Sequence, residues 1–111
     1  MVALDNLRAL SNTPISIHCT WEDGGHSEKS YHYTGNACDF HFIGHKDYVQ
    51  QYVWITKIPD IKGIGFYPDW NNVGWHVDLR TKPIRWVQVK GKYIYDDKVF
   101  SDVLKKSTVL V

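Results

Sequence analysis

A chain of 111 residues with formal net charge +1, 43% hydrophobic and 23% charged residues has the composition of one globular domain spanning residues 1–111. Its Lys and Arg residues are scattered and never interleave with the aromatics as a run, which argues against a nucleic-acid partner. No stretch approaches the roughly 18 apolar residues of a membrane span, and the first residues lack the basic and apolar regions of a secretory signal. A soluble monomer is expected.

In chain order, Leu4, Leu7 and Leu10 recur at three-residue spacing and predict a short amphipathic helix over 3–11. Residues 14–18 alternate and predict a strand, followed by a polar loop from Glu22 to Ser30 around Gly24-Gly25. Alternation returns over 38–43, with Asp39 and His41 on one face and Phe40 and Phe42 on the other. Tyr48, Val49, Tyr52, Val53 and Ile55 have helical spacing within 45–57; His45 opens that helix, and Pro59 and Asp60 stop it. Residues 63–68 predict a short strand whose glycines permit close backbone approach. A turn over 69–72 and a strand over 74–79 come next. Residues 84–89 and 93–95 then form a hairpin around Lys90-Gly91-Lys92, and Asp96 or Asp97 caps a last helix. This order gives an α+β fold, a single small domain with a mainly antiparallel sheet and flanking helices.

Two cysteines without CxxC spacing, Cys19 and Cys38, sit in or beside apolar strand-like stretches. Buried thiols are expected, or one bridge if the two strands are neighbours.

Two stretches carry chemistry. His32 precedes a turn at Gly35, and seven residues on Asp39 projects from a strand; imidazole nitrogen and carboxylate oxygen suit a zinc ion, or they form a hydrogen-bonded surface pair. In the strand Trp75-His76-Val77-Asp78-Leu79-Arg80, three ionisable side chains share one face and three apolar ones the other, as in a cleft floor or a solvated edge strand.

Taken together, Ser30-Tyr31-His32, Gly35, Ala37 and Asp39, then Gly63 to Pro68, His76 to Arg80, and Arg85-Trp86 resemble the motifs of the zinc D-Ala-D-Ala carboxypeptidase family. That family includes phage and bacterial cell-wall peptidases and shares its metal-site fold with the hedgehog signalling domain. The resemblance spans residues 30–86, with a weaker match at 14–17. It implies a zinc ion as cofactor, held by His32, Asp39 and His76, with an open position for water. It implies a metallopeptidase that hydrolyses an amide bond in peptidoglycan stem or cross-bridge peptides with a zinc-activated water, as carboxypeptidase or endopeptidase. Such a domain without a signal fits an endolysin-like enzyme acting on the bacterial cell wall, cytoplasmic until a phage-type release. A catalytically inactive, zinc-stabilised binding module is the alternative.

The chain departs from the family pattern in two places. Many relatives carry an acidic residue three positions before the last His ligand, where Val73 stands here. Asp78 is the replacement by geometry, either as proton shuttle or as hydrogen-bond acceptor that orients a ligand imidazole, and His41 is a further shuttle candidate. Many relatives also place an arginine near residue 22, where this chain has Glu22; Arg80 is a candidate for binding a peptide carboxylate, or forms a surface salt bridge. Tyr67, Trp70 and Trp75 lie near the predicted mouth as ring-stacking groups or packing residues, and Trp86 reads as core.

Overall fold

The computed structural model describes residues 2–18 and 36–109. Nine elements follow in order: α1 (Val2–Ser11), β1 (Ile15–Ile17), β2 (Ala37–Phe42), α2 (Tyr48–Thr56), β3 (Gly63–Tyr67), β4 (Gly74–Asp78), β5 (Ile84–Val89), β6 (Lys92–Ile94) and α3 (Asp97–Ser107). The predicted α+β class and each predicted helix and strand within the described residues are present, with no end moved by more than three residues. Within these residues no helix is long and apolar enough to cross a membrane.

Local chemistry explains the ends. Asp47 caps α2 by accepting from the Gln50 N–H, and Asp96 caps α3 by accepting from Lys98 and Val99, so Asp96 rather than Asp97 starts the last helix. His45, expected to open α2, instead lies before the cap, with Nδ1 2.9 Å from Gln51 Nε2. The β5–β6 hairpin turns on Lys90 (φ 51°) and Gly91 (φ 79°), the two successive left-handed residues of a tight primed turn.

The six strands form one mixed sheet in the order β1-β2-β4-β3-β5-β6. Every pairing is antiparallel except β3 with β5. The β2–β4 register sets Asp39 opposite His76 and Ala37 opposite Asp78. Strand alternation then divides the sheet into two faces. One face carries Phe40, Phe42, Ile64, Phe66, Trp75, Val77 and Val87, which pack with Leu7 of α1, Ile55 of α2 and Phe100 of α3 in a single core. The other carries Asp39, His41, Tyr67, His76, Asp78 and Trp86.

Trp75, read from the sequence as either a ring-stacking group near the mouth or a packing residue, belongs to the packed face. It is fully buried, stacks against Tyr52 and donates its indole N–H to Gln51 Oε1 at 2.8 Å. The expectation of free thiols also requires correction. Cys38 is buried and disulfide-bonded; the sequence contains one other cysteine, Cys19, which lies outside the described residues.

Candidate metal centre

Asp39 and His76 meet because their strands pair in the register that sets them side by side. Asp39 Oδ1 lies 3.0 Å from His76 Nδ1. On the far side of the ring, His76 Nε2 lies 2.8 Å from Asp78 Oδ2. Asp78 is fully buried and is held in turn by Arg80, whose Nε and Nη2 donate to its two oxygens at 2.7 and 2.6 Å. The result is a row of alternating charge, Asp39, His76, Asp78 and Arg80, laid across the open face.

This setting shifts the protonation of Asp78 and His76. Burial pushes the Asp78 carboxyl up, but hydrogen bonds from His76 and Arg80 and their positive charge outweigh it and hold the group far below the usual carboxylate range. Burial likewise disfavours a charged His76, yet hydrogen bonds to Asp39 and Asp78 reverse the balance and raise its pKa above the ordinary value.

Two glycines make this arrangement fit. A β-carbon at Gly63 would overlap the Asp78 carboxylate, and one at Gly65 would overlap the Trp86 indole. Their place in the Gly63-Ile64-Gly65 strand is therefore the steric counterpart of Asp78 and Trp86. Trp86 is buried as expected, but on the site side of the sheet. Its ring lies 5.2 Å from that of His76 and under the Arg80 guanidinium at 5.4 Å.

Of the three ligands implied by the family motifs, Asp39 and His76 converge, while His32 lies outside the described residues. The pair suits a shared cation on its own geometry. Ligands about 2.0–2.2 Å from a tetrahedral zinc stand about 3.3–3.6 Å apart, a few tenths of an ångström more than the 3.0 Å found. The donor types fit too: one imidazole nitrogen and one carboxylate oxygen face each other, with the imidazole backed by a second carboxylate as metal-bound histidines usually are. Among the described residues no group of three His, Cys, Asp or Glu side chains is placed to hold a metal ion.

His18 lies outside the motifs of the resemblance. In the structure the His18 N–H donates to the Asp39 carbonyl at 2.7 Å, its Nε2 lies 2.5 Å from His41 Nδ1, and its ring packs on Trp70. Burial and the neighbouring His41 lower its pKa, with Asp39 opposing. No sequence signal could have found this contact, because it depends on the β1–β2 register. Tyr67 completes the rim: its hydroxyl accepts from the Trp86 indole at 3.0 Å, and burial pushes its pKa up to about 12.

Comparison with protein-family models, with characterised proteins and with solved structures finds no match, so the resemblance rests on the motif residues themselves.

Proposed function

We propose that this chain is a zinc-dependent metallopeptidase that cleaves an amide bond in peptidoglycan stem or cross-bridge peptides, with His32, Asp39 and His76 as the three protein ligands. The observation that carries the reading is the His76 ring, set between Asp39 at Nδ1 and buried Asp78 at Nε2. A zinc ion held there would supply an acidified water and polarise the scissile carbonyl.

The chain's own residues have separable roles. Asp78 is a positioning residue: by accepting the Nε2 proton it fixes the tautomer that leaves the Nδ1 lone pair facing Asp39. Full burial and the two-pronged grip of Arg80 suit that role better than a proton shuttle, which must reach solvent or substrate. Arg80 spends Nε and Nη2 on Asp78, so its guanidinium serves the site by holding that carboxylate rather than as a two-pronged clamp for substrate.

Mass spectrometry of purified muropeptides digested with zinc-loaded protein tests the proposal and reports the bond cut. Release of D-alanine or of new amino termini, abolished by His32→Ala, is expected. Stoichiometric zinc with no muropeptide hydrolysed would overturn the peptidase and leave a zinc-stabilised binding module. For Asp78→Asn, the positioning role predicts zinc affinity weakened about 10- to 100-fold with turnover recovered at saturating zinc. Collapsed turnover at full zinc occupancy would return the proton-shuttle role to Asp78.

A further inference from the structure

Beside the Asp39–His76 pair the open face changes character, from paired charges to neutral aromatics. Trp70 stacks on Tyr67 with ring centroids 4.2 Å apart and planes 14° from parallel. Tyr67 joins Trp86 through the indole hydrogen bond, and Trp86 reaches Tyr95 at 6.4 Å. Tyr93 pairs with Gln88 across the hairpin, which puts it on the Trp86 side of the sheet, beside Tyr67. In a protein that buries Phe40, Phe66 and Trp75 completely, Tyr93 and Tyr95 remain 55% and 59% exposed. The band is held in place at its turns: the Lys90 N–H donates to Asp69 Oδ2 at 2.6 Å, tying the loop that carries Trp70 to the hairpin that carries Tyr93.

We propose that this band is a saccharide-binding platform, seating N-acetylated amino sugars of a glycan strand beside the metal centre. The sugar identity rests on the cell-wall reading above; the platform rests on its own chemistry. The exposed rings of Tyr93 and Tyr95, each edged by a hydroxyl, match a ring that shows C–H bonds on its faces and hydroxyls on its rim. A charged ligand is the poorer match. The nearby carboxylates and guanidinium of Asp39, Asp78 and Arg80 are engaged with one another, and Asp69 is engaged with the hairpin turn. Next to Trp70, exposed Asn71 and Asn72 supply neutral amide donors and acceptors suited to hydroxyl and acetamido groups.

The probe is a β-1,4-linked N-acetylglucosamine tetramer, titrated into the full chain with tryptophan fluorescence and NMR shifts as readouts, with and without a metal chelator. Saturable binding that survives chelation, with shifts at Trp70 and Trp86, is expected. Tyr93→Ala combined with Tyr95→Ala should weaken it about tenfold or more; both side chains are exposed, and a thermal melt verifies the fold. Absence of saturable binding, or equal affinity in the folded double variant, would overturn the platform. A sugar-free stem peptide whose binding falls equally in that variant would also overturn it, in favour of a peptide site. Hydrolysis is read separately: tetramer binding without peptidase activity refutes the proposed function alone, and peptidase activity without tetramer binding refutes the platform alone.

Discussion

The two faces of the sheet are built from the same strands and do opposite things. On the helix side, Phe40, Phe66, Trp75, Val77 and Val87 are fully buried and join the three helices in one core. On the other side, the neighbouring positions Asp39, His76 and Asp78 form a chain of charges stabilised by mutual pairing. The first face supplies stability; the second spends some of it to hold ionisable groups at fixed distances. A one-residue shift in either central strand would exchange them, which is why the β2–β4 register is the structural fact on which the site depends.

Substitutions on each face should therefore fail in different ways. The largest effect is expected from Trp75→Ala, which removes a fully buried indole and leaves Gln51 Oε1 without its donor. A loss of about 3–5 kcal/mol, set against a total stability on the order of 5–10, should appear as a much lower urea midpoint. His76→Ala is the contrasting case: zinc binding disappears while the metal-free protein still unfolds cooperatively. Equal damage from both substitutions would break the division between the faces.

Gly65→Ala probes the boundary between them. Its new β-carbon meets the Trp86 indole, so we expect a cost of about 1–3 kcal/mol. Displacement of Trp86 should also alter the near-ultraviolet circular dichroism and weaken zinc binding.

Smaller effects come from pH, where two histidines of the open face have opposite signs. His76 has a raised pKa, so in metal-free protein its contribution is fully present below 6.5 and is lost as pH rises through its folded value. His18 has a lowered pKa, so its contribution is present above 6.5 and is lost as pH falls below that value. Melting temperatures across this range in chelator should lose their acid-side decline in His18→Ala and their neutral-side decline in His76→Ala. The smallest effect expected is from Asp96→Ala, about 1 kcal/mol through the α3 cap, with zinc affinity unchanged.

Much of this arrangement was legible in the sequence because it follows from local period and turn chemistry. Alternation assigned Asp39 and His41 against Phe40 and Phe42, and the Lys90-Gly91 turn gave the final hairpin. What depends on non-local pairing was not legible. The parallel β3–β5 contact and the contact of His18 with His41 both require knowing which strands are neighbours. Alternation already set Trp75 on the apolar face opposite His76, and the structure buries it there. The role of Asp78 stayed open for a related reason: its spacing from His76 gave the shared face, but burial and the Arg80 grip separate positioning from proton transfer.

The central claim is one zinc ion held by His32, Asp39 and His76, and its most direct test is a zinc titration of the metal-free chain with metal content measured afterwards. The account predicts one zinc per chain and a raised melting temperature, both lost in His32→Ala, Asp39→Ala and His76→Ala. Protein that binds no zinc, or that binds it equally well after His76→Ala, would contradict it.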